Sequence, residues 1–420
     1  MVGVAGDWYS TRRRVEQLLN TRAIAAQIAI RVRDEGAYSN VLLPHETADL
    51  SGPDRAFVYS LVTSVLRKQR HVDGLIAAAS SRPVGELDPE VSAVLQVAAA
   101  ELLTDTKGVV YATVNESVEA VKELGHPKAA SFVNAVLRRL VREIDASRNV
   151  SFSVSQSIPD WLADRLEEDH GREEAQGLIV GLRRPAPQVP IRVRPGGLVP
   201  EGADPIPGIS SAYYLRALPQ DFDGVVADAA STAVGNAVDG QPGQKVLDMA
   251  AAPGGKTIQL WDQIQPGGQL VAMDRHRRRL RSARSRLRYL AVSPNWLIGD
   301  GRHSPFADGS FDAVLVDAPC TGLGTLRRRP EIAMRLEPDS PDLLAVQQRE
   351  LLAEAWRVTR PGGRVVYSVC TVLATETTEV VAEYPAHPPA DLPGRIWGNG
   401  LLLAPHTTGT DGMFVAVIDR

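Results

Sequence analysis

The sequence predicts a multi-domain chain in which an all-α helical bundle is followed by a small α/β subdomain and then by a mostly parallel α/β sheet covered on both faces. Three observations carry this expectation. The chain has 420 residues, more than a single core usually serves. From Thr21 to about Leu140 the apolar residues recur at helical spacing, and from residue 245 onward short apolar runs alternate with helical segments. The expected divisions are 1–147 for the bundle, 148–235 for the subdomain and 236–420 for the sheet domain.

In the bundle, Ile24, Ile28 and Val32 recur every four residues, and Phe57, Val58, Leu61, Val62, Val65 and Leu66 form a broader stripe. Further stripes run through Val91, Val94, Leu95, Ala98 and Leu102 and through Phe132, Val133, Val136, Leu137 and Leu140. No fixed repeat is visible, so a compact bundle is expected rather than a solenoid. These stripes read as core.

After about Ser147 the composition changes. SIPDWLADRLEEDHG reads as one helix with Pro159 near its first turn, and RRPAPQVPIRVRPGGLVPEGADPIPG is rich in proline and glycine. The alternating IRVR piece favours a small mixed subdomain over a linker. VADAASTAVG at 226–235 opens another helix.

Strands are then expected at 245–249, 269–274, 295–299, 312–317, 363–369 and 413–418. In an open sheet of this kind, ligands bind beyond the carboxyl ends of the strands. Four acids fall there: Asp248, Asp274, Asp300 and Asp317. A single acid after a strand is usually a cap, but four along one rim point to a ligand. The acid after the second strand suits ribose hydroxyls, which assigns that role to Asp274.

Between Asp248 and the next helix lies the loop Ala250, Ala251, Ala252, Pro253, Gly254, Gly255, Lys256. It lacks the first glycine of a phosphate loop and is not G-x-G-x-x-G, so a nucleoside without a pyrophosphate, such as S-adenosylmethionine, fits better.

Composition narrows the class. No apolar run approaches the roughly 18 to 20 residues of a membrane span, and the N-terminus lacks signal-peptide order, so a cytoplasmic protein is expected. Net charge is −4, which by itself gives no reason to expect a nucleic acid. Arginines nonetheless crowd at 12–14, 138–142, 275–288 and 327–329. Each cluster alone reads equally well as a solvated face, whereas several near one site favour RNA.

The two cysteines, Cys320 and Cys370, are too few for a disulfide framework. Taken singly each reads as core, yet both follow predicted strands on the rim that holds the acids. A thiolate there is a nucleophile able to form a covalent intermediate, the assistance needed to alkylate an unreactive ring carbon.

These words together carry a resemblance. VLDMAAAPGGKT, VAMDRHRRRL, IGDGR, DAPCTGLGTLRRRPEI, PGGRVVYSVCT and PHTTGTDGMFVAVI resemble the Sun/Fmu family of RNA cytosine-5 methyltransferases. DRAFVYSLVTSVLR, YATVNESVEAVKELG and SFVNAVLRRL are similar to the NusB-type RNA-binding domain found at the front of that family. Asn115, Glu116 and Asn134 in these words read as capping or packing residues.

The resemblance implies a Rossmann-like methyltransferase domain, S-adenosylmethionine as cofactor with no metal, and small-subunit (16S) ribosomal RNA as partner. No membrane is implied, and a monomer suffices. It implies that residues 250–256 and Asp274 hold the cofactor with Arg279 beside them, that Asp300 contacts the adenine, and that Asp317 faces the target cytosine. Cys370 would be the nucleophile, Cys320 the helper for product release, and Lys256 a positive charge near the reacting base. Ser368 and Thr371 would tune the thiol.

Ala250 stands where the family usually has cysteine, Ala227 where it has glutamine, and the stretch after Cys370 keeps Glu376 and Glu379 without the usual asparagine. Two other readings stay open: a DNA cytosine-5 methyltransferase using Cys320, and an inactive RNA-binding assembly or antitermination factor.

Overall fold

The computed structural model describes residues 20–104, 110–146, 158–186, 188–219, 222 and 224–420. The arginines at 12–14 lie outside these. The chain divides into two compact units between residues 152 and 153.

In the first unit the helices are α1 (Thr21–Asp34), α2 (Ser39–Glu46), α3 (Gly52–Ser80), α4 (Pro89–Leu102), α5 (Val110–Glu123) and α6 (Ala130–Ala146). Helices α1 and α3 begin on side-chain caps. Ser51 caps α3 by accepting from the Asp54 N–H, and Pro53 lies in its first turn, where a missing N–H does no harm. Every residue of α4 from Val91 to Leu102 is buried, the signature of a central helix surrounded by others. Glu101 within it is matched by Arg22 of α1 at 2.6 and 2.8 Å. Glu116 accepts from the α1 cap residue Asn20 at 2.8 Å, and Asn134 accepts from Arg138 at 3.1 Å. Both side chains therefore have packing and capping partners.

The second unit begins with α7 (Asp160–His170) and α8 (Arg172–Arg183), with Pro159 at the cap position of α7. Strands β1 (Val189–Arg192), β2 (Asp204–Pro205), β3 (Ala212–Leu215) and β4 (Val225–Val226) make a small antiparallel sheet in the order β2-β3-β1-β4. The proline-rich segment is thus folded, within the second compact unit. Its anchor is a buried ion pair to the next helices, described below.

From here the chain runs α9 (Ala229–Val238), β5 (Lys245–Asp248), α10 (Gly255–Ile264), β6 (Gln269–Asp274), α11 (Arg277–Arg288), β7 (Asn295–Ile298), β8 (Phe311–Asp317), α12 (Ser340–Val358) and β9 (Thr359–Val369). It ends with α13 (Thr378–Val381), β10 (Ala386–His387), β11 (Arg395–Trp397), β12 (Gly400–Leu403) and β13 (Met413–Asp419). Asp262 of α10 receives Arg192 at 2.9 Å and Arg194 at 2.7 Å, which ties the small sheet to the large one.

The large sheet has the order β11-β12-β13-β9-β8-β5-β6-β7, with β10 beside β13. Strands β5 to β9 pair in parallel, and β13 joins β9 antiparallel. Strands 10 to 12 were not anticipated, because two- to four-residue pieces carry too little period to be read. Leu247, Val314, Val316 and Val365 face one layer with α12, whereas Val246, Ala313, Leu315 and Val366 face α9 and α10. Burial on both faces explains the continuous apolar runs. The chain builds β5, β6 and β7 outward in one direction and then returns to place β8 on the other side of β5. That reversal leaves a crevice at the carboxyl ends of β5 and β8.

Candidate active site

The loop after β5 is shaped by backbone contacts before any ligand is considered. Met249 N–H donates to Leu315 O at 3.0 Å and Ala251 N–H to Met273 O at 2.9 Å, pinning the loop to both neighbouring strands. Gly254 has φ +95°, and a Cβ there would lie 3.0 Å from Leu287 of α11. Only glycine suits both the left-handed backbone and the close approach. Helix α10 begins at once, so its free N–H groups open toward the crevice.

The four rim acids are held differently. Asp248, almost fully buried, accepts from Thr257 Oγ1 at 2.6 Å, and burial pushes its carboxyl up to about 7. Asp274 accepts the Ala252 N–H at 3.1 Å on one oxygen and the His276 N–H at 2.7 Å on the other. Asp300 caps the short turn at 301–303 and receives the Arg302 guanidinium, which pulls it down to about 2. Asp317 pairs with Lys256 Nζ at 2.8 Å and accepts from Ser368 Oγ at 3.0 Å. Ser368 thus serves the acid rather than the thiol.

The structure brings the two cysteines together. Cys320 Sγ and Cys370 Sγ are 3.3 Å apart, both half-buried, on loops fifty residues apart in sequence. Their surroundings differ in sign. The hydrogen bond to Cys370, then burial, then the negative charges of Cys370 and Glu376 push the Cys320 thiol well up. Cys370 is lowered, first by the hydrogen bond from Cys320 and then, against burial, by the positive charges of Arg329 and Lys256. A thiol at Cys320 donating to a thiolate at Cys370 satisfies both.

In the sequence Glu376 stands out only as a retained residue, and it is the fold that gives it a place. It is fully buried, and one carboxylate oxygen accepts from Thr321 Oγ1 at 2.5 Å and Thr371 Oγ1 at 3.0 Å. The other accepts the Thr321 N–H at 2.8 Å and Gln348 Nε2 at 3.1 Å. Each threonine follows one of the cysteines, so a single acid clamps both loops. The repeated Cys-Thr pair was the available signal. Arg329 and Asp411 were likewise unassigned; Asp411 binds Arg328 and gives its N–H to Asp228 at 3.1 Å. Burial, then the charge of Asp411, pushes Asp228 up to about 6.

Among the sequence-predicted residues, Arg279 donates to Ala252 O at 2.9 Å and so supports the loop from outside. Lys256, Asp317, Cys320 and Cys370 converge on the crevice, with Asp274 and the 250–255 loop on its β6 side. A site with a thiolate, a cation–carboxylate pair and a nucleoside-sized rim is equipped for nucleophilic alkyl transfer.

Comparison with known proteins identifies the family of the chain. Residues 236–419 match the family described as 16S rRNA methyltransferase RsmB/F, and residues 19–142 match the NusB family. Ribosomal RNA small subunit methyltransferase B of Xylella fastidiosa is 32% identical over 94% of this chain and 96% of its own length. The protein of the same name from Thermus thermophilus is 33% identical over 95% and 97%. The crystal structure of PH0851 covers 96% of this chain and 100% of its own, with TM-score 0.81 at 22% identity. NSun6 from Pyrococcus horikoshii with SFG covers 62% and 98%, with TM-score 0.56 at 19% identity. At these identities the two structures speak for the fold alone.

Proposed function

Because the chain belongs to the 16S rRNA methyltransferase RsmB/F family and is S-adenosylmethionine-dependent, we propose that it methylates carbon 5 of a cytidine in small-subunit ribosomal RNA through a covalent adduct to Cys370. The observation that carries this reading is the 3.3 Å thiol pair with opposite electrostatic bias.

The residues present fit the cofactor. Each carboxylate oxygen of Asp274 takes one backbone N–H and keeps a lone pair for a ribose hydroxyl, while the 250–255 turn offers close backbone approach. Asp300 is the proposed adenine contact, although Arg302 already occupies part of its carboxylate. S-adenosylmethionine supplies an electrophilic methyl group on a sulfonium.

The chain does the rest. The target base must leave its stack to reach the crevice. Cys370 thiolate adds to carbon 6, and Lys256 with Asp317 stands beside the ring, where charge rises at N3 and O2 as carbon 5 becomes nucleophilic. After methyl transfer, the carbon 5 proton leaves and the carbon 6–sulfur bond breaks, restoring the thiolate. Cys320 suits the proton acceptor of that second half. Its pKa is lifted first by the hydrogen bond to Cys370, and alkylation of Cys370 removes that bond and the thiolate charge with it. The helper thus becomes more acidic only once the adduct exists, when it releases its own proton to solvent and, as a thiolate, takes the carbon 5 proton.

The raised Cys320 thiol also speaks against the DNA-type alternative, in which Cys320 would attack. With labelled cofactor and a small-subunit rRNA transcript, Cys370→Ala is expected to lose all methyl transfer, and Cys320→Ala to leave a protein–RNA adduct that survives denaturing electrophoresis. Turnover by Cys370→Ala sinks the mechanism.

A further inference from the structure

The helix α11 carries a charge pattern that its own stability opposes. Eight arginines lie between Arg275 and Arg288, all exposed, in a chain of net charge −4. Among the described residues none of the eight has a carboxylate within 4.0 Å, whereas Arg302, Arg328, Arg357 and Arg360 of the same unit each pair with at least one. The first turn holds three arginines and no acid, which opposes the helix dipole. Like charges at i,i+3 and i,i+4, such as Arg281 with Arg284 and Arg277 with Arg281, destabilise the helix further. A merely solvated face would intersperse acids.

A basic amphipathic helix also suits a membrane surface, but that needs a free apolar side. Here Leu280, Ala283 and Leu287 are buried against the sheet domain. Only the cationic face is available. It ends in Tyr289, whose side chain is 89% exposed, a platform on which an unpaired base can stack. The helix is also fastened to the cofactor loop: Arg279 holds Ala252 O, and Arg286 holds Pro253 O at 2.5 Å. The loop therefore borders the exposed face on its Arg279–Arg286 edge, and the ridge of Arg277, Arg281, Arg284 and Arg288 runs along the opposite edge, about half a turn away.

We propose that the exposed face of α11, closed by Tyr289, is the docking surface for the sugar–phosphate backbone of an unpaired segment of the RNA substrate. The proposal rests on the RNA reading above and names where that RNA lies. The spacing of Arg277, Arg281, Arg284 and Arg288 places successive guanidinium groups about 5–6 Å apart at their bases along one ridge. Contacts of this kind position the strand without reading its sequence.

The test uses the full chain and an unmodified small-subunit rRNA transcript. The variant Arg277→Gln/Arg281→Gln/Arg284→Gln/Arg288→Gln keeps good helix formers and spares Arg279 and Arg286. Its affinity for the transcript is expected to fall roughly tenfold or more, and the slope of log affinity against log salt to shrink by about 3, at about 0.7 per single-strand phosphate. KM for the RNA rises while kcat at saturating RNA and cofactor affinity stay as in the wild type. The matching Arg→Lys variant restores most of the salt slope, and Tyr289→Ala weakens binding to unstructured oligoribonucleotide more than to duplex.

An unchanged salt slope and KM in the Gln variant, with wild-type protein methylating the transcript normally, overturns the docking surface. So does a loss confined to cofactor affinity, which would make α11 a support for the loop alone, or a loss of binding to anionic lipid vesicles with RNA binding intact. Wild-type protein that binds oligoribonucleotide through α11 but never methylates the transcript overturns the substrate reading instead.

Discussion

The two halves of the rim are built on opposite plans. On the β5–β6–β7 side, Asp248, Asp274 and Asp300 are each held by a hydroxyl, a backbone N–H or a guanidinium within 22 residues, and Asp300 by Arg302 two residues away. On the β8–β9 side, Asp317 meets Lys256 across 61 residues, Cys320 meets Cys370 across 50, and Thr321 meets Glu376 across 55. The first half is assembled locally, with Asp248 buried beneath the crevice. The second places reactive groups against one another and exists only when two distant loops are locked together.

The sharpest way to break this contrast is Glu376→Gln. The amide keeps the size but loses the charge and cannot accept on both arms, so the clamp on Thr321 and Thr371 weakens. The expected result is a fall in kcat on the order of tenfold or more with cofactor affinity unchanged. Removing the negative charge also lowers the Cys320 thiol, so the limb of the pH–rate profile belonging to that group moves to lower pH. A purely structural clamp would slow turnover without moving the profile.

Asp274→Asn tests the other half and should do the reverse. Losing a charge-assisted acceptor weakens cofactor binding by about 1.5–3 kcal/mol, or roughly tenfold to a hundredfold in Kd. Calorimetric titration with the cofactor checks it, and kcat at saturation should change far less than in Glu376→Gln. If both variants shift Kd and kcat alike, the division of the rim is wrong.

The smallest effect concerns Asp248. Its folded pKa of about 7 lies above the ordinary 3.8, so the native state holds a proton that the unfolded chain has released. The stability this contributes is fully present below about pH 4 and is lost as pH rises through about 7. Asp248→Asn cannot titrate, so its melting temperature should vary less than the wild type's between pH 5.5 and pH 8, by a few degrees. Asp228, raised to about 6, leaves a residual slope in both proteins.

Most of the scaffold was legible because period and position suffice for it. The helical stripes of the first unit, the parallel strands from β5 to β9 and the strand-end acids all follow from apolar spacing and turn chemistry. So did the turn after β5, whose glycine at 254 is required by its backbone angle and by Leu287. What stayed hidden were contacts with no sequence period. Glu376 is an ordinary acid until Thr321 and Thr371 converge on it, and Ser368 looked like a thiol neighbour until it turned to Asp317. The minor strands β10 to β12 gain their conformation from pairing rather than from propensity.

By itself the sequence determined the order of the two units, the strand ends and the presence of both cysteines, since these depend on local periodicity and residue type. Which cysteine carries the lowered pKa was decided only in three dimensions. The hydrogen bond between the sulfurs comes first, and charge then acts through space: Arg329 and Lys256 lie near one sulfur and Glu376 near the other, and no spacing along the chain records those distances.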